Sequence, residues 1–500
     1  DRRPARRRSH PVSTQVQYMN KQPTRSTRPY QTHLQLHHIL VIAVASLFIG
    51  QYLLIAINRI AYPYELEWME GATVDTFARV LRGDLLYTAP SIDYVPPIYG
   101  PAYFYLGAAF PLLFGPTLFA VRFLSFIASL GIFILLLVWT RREGGSISAA
   151  AFACGLFAAC FEVLGGWFDL ARVDTTYLFC LLFGGYLLRF AASSRMLILS
   201  AVVLSIATLI KVNAAIVIIF LIPPVLLIHR KQAFAWLSTL AIIGGGVTAL
   251  FTFISGEWFL YFVLARSQDA ILLPSIWFEL WTSDIASIWL PLLLAVIYII
   301  RLARMKQLDA FRFYTYYALG MILASFLSRI HHGSWVNVNF SAYAVLILLA
   351  GLSLGHLVKA ASRPIWSVGV AALIVLQFWG LVYDSRNHLP DEEDLAAGQM
   401  FINLLSEADG EVLLFAHGYY PRLANVPSPE SGWFMNMIHG ERTGAKEQFD
   451  ASVADAIQAR RFAAIITDNA IYLHENYFEL LAESYDDHEI PTQGTAFFPV

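Results

Sequence analysis

Charged residues are scarce in this sequence. Asp, Glu, Lys and Arg make up 14% of its 500 residues, whereas 57% are hydrophobic and the mean hydropathy is +0.56. Soluble domains carry about a quarter charged residues, so this composition excludes an ordinary soluble enzyme. It predicts a polytopic α-helical membrane protein. The net charge of −2 says little about partners, because the charges are sorted along the chain.

Cysteine is also scarce, and the pattern of the few cysteines excludes two kinds of site. Cys154, Cys160 and Cys180 all lie inside apolar runs. They show neither a disulfide framework nor a metal-ligand spacing, so we expect small core residues. A Gly-rich loop between a strand and a helix is missing too, and with it any sign of a nucleotide or redox cofactor. We predict no cofactor, and the residues indicate no metal site.

The N-terminal residues 1–38 are basic and rich in Pro, Ser and Thr, a composition typical of disorder. A nucleic-acid-binding arm is one reading of this tail. The positive-inside rule favours a disordered cytoplasmic tail, and we expect no nucleic-acid partner. The apolar run 39–57 has no small-x-small pattern after it, so we expect an uncleaved first span rather than a signal peptide.

Long apolar runs fill residues 39–382, and about 20 such residues cross a bilayer. The segment 98–115 is apolar but short and contains Pro101 and Pro111. If it does not span, the basic clusters all fall on one side, so we predict a re-entrant or interfacial helix. This gives an N-terminus inside and a C-terminus outside. The eleven predicted spans lie near 39–58, 117–140, 147–165, 173–190, 196–210, 212–229, 233–255, 285–302, 312–330, 338–358 and 364–382.

Acidic residues gather in the first outer loop, residues 59–116, and above all between Tyr62 and Pro101. Carboxylates so close to a span are costly unless they face water or take part in chemistry. The second half of this segment is rich in Pro and Tyr, which suits a chain lying along the lipid surface. The acids are Glu65, Glu67, Glu70, Asp75, Asp84 and Asp93.

The composition turns soluble after residue 383. Residues 391–405 have the pattern of an amphipathic helix, 411–415 and 462–467 of short strands, and 472–481 of a further helix. Residues 383–500 therefore predict a small extracytoplasmic α/β domain. Asp486, Asp487 and His488 within it are interpreted as solvated surface rather than a metal cluster.

The chain contains Glu70-Gly71 with Gly83 and Tyr87 downstream, the segment Tyr94–Pro101, Ala171–Asp174, Lys211 and the turn 331–339. Together these short motifs resemble the GT-C superfamily of membrane glycosyltransferases. These enzymes depend on polyprenyl-phosphate sugars and include the protein O-mannosyltransferases and the lipid A aminoarabinose transferase. One feature departs from the family: many members carry Asp-Glu in the first loop, where this chain has Met69-Glu70.

The resemblance implies a catalytic carboxylate that deprotonates or orients an acceptor hydroxyl. Glu70 is our first choice and Glu67 the second. In helical register these i and i+3 residues could both point into one cleft. Asp174 is implied as a second carboxylate. The alternative is that the first-loop acids only face water at the membrane edge, and that Asp174 pairs with Arg172 to anchor a helix end.

Donor phosphate binding is implied for Arg172, Lys211, His331 and His332, since cations stabilise a leaving phosphate. Lys211 could instead pair with a protein carboxylate, and the histidines could form a plain polar loop or, less in keeping with their adjacency, bind a metal. Residues expected to line the substrate site are Glu65, Tyr94, Tyr99 and Asn337, although Tyr94 and Tyr99, with Tyr103 and Tyr105, also fit an interfacial aromatic belt.

The resemblance thus implies a GT-C-like catalytic domain over residues 39–382 in the plasma (inner) membrane. It would transfer a hexosyl or pentosyl group from a polyprenyl phosphate at the outer face to an envelope lipid, polysaccharide or protein. Use of a divalent metal is left open, because members of the superfamily differ in it. A transporter or lipid flippase is the main alternative, and a scaffold built on the outer domain is the third.

Overall fold

The computed structural model describes residues 28–264, 272–331, 334–360, 364–414, 417–430, 435, 438, 444–466, 480, 481 and 484. Helices dominate these residues, and the two short strands lie near the C-terminal end. The helices are α1 (Arg28–Ile60), α2 (Glu70–Arg82), α3 (Pro101–Gly107), α4 (Ala109–Phe114), α5 (Leu118–Arg142), α6 (Ile147–Ala159), α7 (Val173–Arg189), α8 (Ser194–Ile210), α9 (Ala214–Ile228), α10 (Ala233–Leu240), α11 (Gly246–Ser255), α12 (Glu257–Val263), α13 (Ile276–Glu279), α14 (Trp289–Arg304), α15 (Leu308–Arg329), α16 (Phe340–Ala360), α17 (Pro364–Trp379), α18 (Glu392–Ser406), α19 (Tyr419–Leu423) and α20 (Ala445–Gln458).

Each predicted span coincides with a helix or with a run of helical segments. Among the described residues, five helices are long and apolar enough to cross a membrane, and several apolar helices are shorter. The chain is therefore a multi-pass membrane protein, as predicted, and the number of eleven crossings stays a prediction. The five long helices are His38–Ile60, Leu118–Arg142, Ala233–Ser255, Ile276–Arg304 and Val336–Leu357.

Short polar side chains set the beginning of several span helices. Thr117, Ser146 and Ser193 each precede a helix and accept a hydrogen bond from the backbone N–H three residues later. A side-chain oxygen at this position satisfies one of the N–H groups that the first turn leaves unpaired. These caps separate α5, α6 and α8 from the preceding helices although the chain stays largely apolar throughout.

The helices differ strongly in how deeply they lie in the bundle. In the Val336–Leu357 span 94% of the apolar window is buried, whereas none of the Ala233–Ser255 window is. The first is thus central and the second peripheral. Small residues allow close helix contacts near the centre, as at Gly155, where a Cβ would lie 2.4 Å from the Cβ of Ala45 on α1. The three cysteines are free and buried, which confirms them as core residues.

The predicted disordered tail is too long at its C-terminal end. Helix α1 begins at Arg28, so residues 28–38 are helical, and residues 1–27 lie outside the described part of the chain. Pro29 does not prevent this start, because the first turn of a helix tolerates proline. Residues 28–38 were assigned to the tail because the basic composition of the preceding residues was extended to them.

The segment 98–115 forms two short helices, α3 and α4, rather than one long one. Helix α3 is largely buried, with Tyr103 and Phe104 at most 1% exposed. In α4, Leu112 and Leu113 are 74% and 76% exposed. One end of the segment thus packs into the bundle while the other presents leucines outward, a pattern typical of an interfacial element. Its position relative to the bilayer stays a prediction.

The C-terminal region contains the predicted helix and strands at or next to their predicted positions. Asp391 begins α18 with a capping box that involves Asp394. Strands β1 (Val412–Leu414) and β2 (Ala464–Ile466) pair in parallel, with Leu413 opposite Ile465. The predicted helix 472–481 lies almost entirely outside the described residues. Whether residues 383–500 form a separate extracytoplasmic domain stays a prediction.

A glycine brings the first outer loop against the end of α8. The Gly100 N–H donates to the carbonyl of Ile210 at 3.0 Å, and a Cβ on Gly100 would lie 2.0 Å from the carbonyl oxygen of Leu209. Only a residue without a side chain fits there. This contact fixes Tyr99, which precedes the glycine, close to Lys211, which follows the helix.

The Gly100→Ala variant should therefore lose stability, because the added methyl group forces the loop away from α8. Overpacking of this kind costs about 1–3 kcal/mol. The measurement is the melting temperature of the purified protein in detergent, with Gly50→Ala as the control. Gly50 has no atom within 4 Å of its Cβ position, and its substitution should be neutral or slightly stabilising. Equal melting temperatures for both variants would contradict the contact.

Candidate active site

Arg122 organises the first outer loop from inside the bundle. It lies on α5, is fully buried, and uses all five of its N–H groups. Nη1 donates to the carbonyls of Arg59 and Tyr62 at 3.1 and 2.6 Å, and Nη2 donates to the carbonyl of Tyr64 at 2.7 Å. Nε and Nη2 donate to the two carboxylate oxygens of Glu70 at 2.9 and 2.5 Å. One guanidinium thus fixes the chain between the end of α1 and the start of α2.

Glu70, the first choice for catalytic base, is the counter-ion of this arginine. Besides Arg122, it accepts hydrogen bonds from the backbone N–H groups of Ala171 and Leu66, both at 2.7 Å. Burial alone would raise the pKa of Glu70, but the guanidinium and these donors outweigh burial and lower the pKa below its ordinary value. A saturated, fully buried carboxylate with a low pKa is poorly suited to accept a proton.

Glu67 has different surroundings. It is 4% exposed and pairs with Arg172, whose Nη1 lies 2.9 and 3.1 Å from its two oxygens. Burial raises the pKa of Glu67 to about 7, although Arg172 opposes the rise. Nη2 of Arg172 donates to the Tyr99 hydroxyl at 3.0 Å. Among the first-loop acids, Glu67 therefore combines a pKa near neutrality with a place beside a buried cation.

Asp174 continues this line of charges. It lies in the first turn of α7, and its Oδ1 accepts a hydrogen bond from Nζ of Lys211 at 2.8 Å. Its Oδ2 lies 3.6 Å from Nε of Arg172. Of the two partners considered for Lys211, the structure thus provides the protein carboxylate. Together, Glu67, Arg172, Asp174 and Lys211 form a row of alternating charges, which we call the charge row.

Two cations in the charge row could hold an anion, and two carboxylates beside them could handle a proton. Arg172 and Asp174 are at most 4% exposed, and the Lys211 side chain is 16% exposed. In such surroundings charges act more strongly than in water. Among the described residues there is no group of three or more His, Cys, Asp and Glu side chains that could hold a metal ion.

Glu65 and Tyr94 face the C-terminal region instead of the charge row. Glu65 is buried and pairs with Nδ1 of His417, just before α19. The Tyr94 hydroxyl donates to the carbonyl of Leu86, and its backbone pairs with Glu430. Asp75 on α2 pairs with Arg422 at 2.7 Å, and burial raises the pKa of Asp75 to about 7 against the opposing arginine.

The remaining predicted residues lie near the turn that follows α15. Asn337 borders a polar cavity together with Asp174 and Lys211. His331 lies just after the end of α15 at Arg329 and forms a β-bridge with Leu272. His332 lies outside the described residues. The structure thus brings Tyr99 and Asn337 to the charge row, while phosphate contacts by the two histidines stay a prediction.

Comparisons with known proteins agree with this architecture. A family model described as dolichyl-phosphate-mannose-protein mannosyltransferase matches residues 96–258. ArnT from Cupriavidus metallidurans in the apo state has a TM-score of 0.60 at 13% identity, covering 88% of this chain and 94% of that one. Its structure bound to undecaprenyl phosphate has a TM-score of 0.60 at 12% identity, covering 88% and 95%.

A third similar structure is more distant. The oligosaccharyltransferase AglB from Archaeoglobus fulgidus, in complex with an inhibitory peptide and a dolichol-phosphate, has a TM-score of 0.51 at 12% identity. The match covers 92% of this chain and 72% of AglB. No curated protein matched the sequence. The chain has the GT-C fold. The predicted resemblance is thereby confirmed.

Within this GT-C fold, Arg122 is one of two functional residues that the sequence analysis missed. A signal for it exists, because it is a lone arginine inside the predicted span 117–140, and a charge in such a place needs a specific partner. Its partner cannot be read from the sequence, since Glu70 lies 52 residues away. His417 was missed for a similar reason, because 352 residues separate it from Glu65.

Arg122→Lys should destabilise the protein, although it keeps the charge. A lysine offers three donors from a single nitrogen and cannot replace the planar five-donor fork. Unpaired carbonyls and a weakened ion pair should cost about 3–5 kcal/mol. Thermal unfolding in detergent measures the effect, and Arg195→Lys on the exposed start of α8 is the matched control. A loss no larger than that of the control would contradict the role of Arg122.

Proposed function

We propose that this protein is a glycosyltransferase that moves a sugar from a polyprenyl-phosphate donor to a lipid, polysaccharide or protein of the cell envelope. The charge row carries the proposal, because it places two carboxylates and two cations side by side in a GT-C fold. The transfer of a hexosyl or pentosyl group is part of the proposal. The mannosyltransferase family model over residues 96–258 supports a glycosyl donor.

The leaving group of this reaction is a lipid-linked phosphate, whose negative charge develops as the bond to the sugar breaks. Arg172 and Lys211 stabilise that charge, because each carries donors that are not committed to the carboxylates. Two similar structures are complexes with undecaprenyl phosphate and with a dolichol-phosphate, which supports a polyprenyl-phosphate donor here. The long apolar helices place the protein in the membrane, where the polyprenyl chain of the donor also lies.

The acceptor hydroxyl must lose its proton during transfer, and Glu67 takes it. A pKa of about 7 suits a general base near neutral pH. Arg172 holds Glu67 through two hydrogen bonds and keeps its carboxylate in a fixed orientation. Asp174 is the second carboxylate and orients both cations. Glu70 is assigned a positioning role, because Arg122 and two backbone N–H groups occupy its oxygens.

Transfer should depend on pH through Glu67. Only the carboxylate accepts a proton, so kcat/KM should rise with pH up to about 7 and level off above it. Glu67→Gln should lower kcat by about 10²- to 10⁴-fold and remove this pH limb. The assay follows transfer of radioactive sugar from polyprenyl-phosphate donors to endogenous acceptors in membranes.

The matched control for this prediction is Glu257→Gln, because Glu257 is an exposed glutamate at the start of α12. It should transfer sugar at the rate of the unchanged protein. Near-normal transfer by Glu67→Gln, in a variant that still reaches the membrane, would remove Glu67 from the mechanism. The same rate loss in Glu70→Gln with an intact pH limb would fit the positioning role of Glu70.

The catalytic face is proposed to lie outside the inner membrane, opposite the basic clusters. Single cysteines probe the two sides, one at Asp84, whose side chain is 43% exposed, and one at the exposed Arg304. A membrane-impermeant maleimide applied to intact cells should label Asp84→Cys but not Arg304→Cys. The native cysteines are buried and should stay unlabelled in the parent protein. Labelling of the reverse pattern would place the charge row in the cytosol.

A further inference from the structure

A small polar cavity adjoins the charge row. It lies where the first turn of α7 and the residues after α8 meet the end of α15 and the turn 336–341. The space open to the centre of a water-sized sphere is about 10 Å³. This is close to what one water molecule needs. Its polar lining comprises Asp174, Lys211, Asn213, Ser328, Asn337 and Ser341.

One acceptor in this lining has a vacant position. Oδ1 of Asp174 accepts from Lys211, but Oδ2 is buried and has no hydrogen-bond partner within the described part of the chain. Its ion-pair neighbour, Nε of Arg172, stands 3.6 Å away, beyond normal hydrogen-bond length. A buried carboxylate oxygen without a hydrogen bond is costly, so the cavity suits a group that donates one.

Donors that a ligand could accept from are also present. Lys211 has three N–H groups, of which Asp174 takes one. Asn337 contributes a side-chain amide, which also interacts with the Asp174 carboxylate. Asn213 and Ser328 are engaged with each other, since the Asn213 amide donates to the Ser328 hydroxyl. The site therefore offers both an acceptor and donors to one small group.

Charge further narrows the class of ligand. The negative charge of Asp174 and the positive charge of Lys211 compensate each other at 2.8 Å, and the other polar lining residues are neutral. A bare ion of either sign would disturb that balance in a buried place. A hydroxyl group matches the cavity in size, in charge and in its ability both to donate and to accept.

We propose that this cavity receives one hydroxyl group of the transferred sugar and thereby selects the donor. The inference rests on the proposed function and adds a specificity determinant to it. The hydroxyl donates to Oδ2 of Asp174 and accepts from Asn337 or Lys211. A donor that lacks this hydroxyl leaves Oδ2 buried and unpaired, and this penalty corresponds to roughly ten- to hundred-fold weaker binding.

The test measures binding to the purified full-length protein in lipid nanodiscs. Undecaprenyl phosphate that carries a fluorescent label is the probe for the phosphate site, and it is displaced by polyprenyl-phosphate mannose, glucose or galactose. The tightest of these donors is then compared with its monodeoxy analogues. We expect one analogue to bind roughly ten- to hundred-fold more weakly and the others to stay within about threefold of the parent.

Two variants connect the penalty to the cavity. Asp174→Asn removes the acceptor charge while keeping the shape, and it should shrink the deoxy penalty to below about threefold. Asp169→Asn changes another buried carboxylate of the same segment, which pairs with Arg59 and does not line the cavity, so it should leave the penalty unchanged. Undecaprenyl phosphate binding reports whether each variant keeps its phosphate site.

The outcomes separate this inference from the proposed function. If undecaprenyl phosphate binds but all monodeoxy donors bind like the parent, the hydroxyl site is wrong and the transferase proposal stands. The same holds if no sugar-bearing donor binds more tightly than the bare phosphate. A deoxy penalty that persists in Asp174→Asn also overturns the site. If undecaprenyl phosphate itself does not bind the unchanged protein, both proposals fail.

Discussion

The buried guanidinium of Arg122 is the constraint on which the rest of the site depends. A charge fully removed from water must be matched by hydrogen bonds from every side, and Arg122 finds them only if the chain folds around it. Three carbonyls and the Glu70 carboxylate supply them. The polar first loop is therefore anchored inside an otherwise apolar bundle. Glu67 owes its burial to the same arrangement, because it lies between Tyr64 and Glu70.

The segment 169–174 joins that loop to the spans. Its polar groups form ion pairs and a hydrogen bond with residues at the end of α1, at and before the start of α2, and just after α8. The segment therefore connects these three helices. Each of its side chains and the partner of that side chain fix one another's orientation. The charge row is therefore held in place by non-covalent contacts alone. The contacts are Asp169 with Arg59, the Ala171 N–H with Glu70, Arg172 with Glu67, and Asp174 with Lys211.

Much of the fold could be predicted from the sequence, but less of the candidate active site. Apolar runs locate the helices because burial in lipid demands about 20 apolar residues whatever the partners. The acids of the first loop could likewise be identified from the sequence, but their individual roles could not be assigned. Whether Glu67 or Glu70 has the higher pKa depends on which arginine each one meets. Arg122 lies on α5 and Arg172 directly precedes α7, and both are distant in the chain from the two glutamates. Long-range pairing of this kind leaves no local pattern.

The pair formed by Glu65 and His417 has a consequence for biosynthesis. The two residues are 352 positions apart, so at roughly 5–20 residues per second the ribosome needs roughly 20–70 seconds between them. During that interval Glu65 on the nascent chain has no His417 to meet. The first loop can complete this contact only after the segment around His417 has reached the same side of the membrane. Completion of the first loop is thus tied to the synthesis of a residue 352 positions downstream.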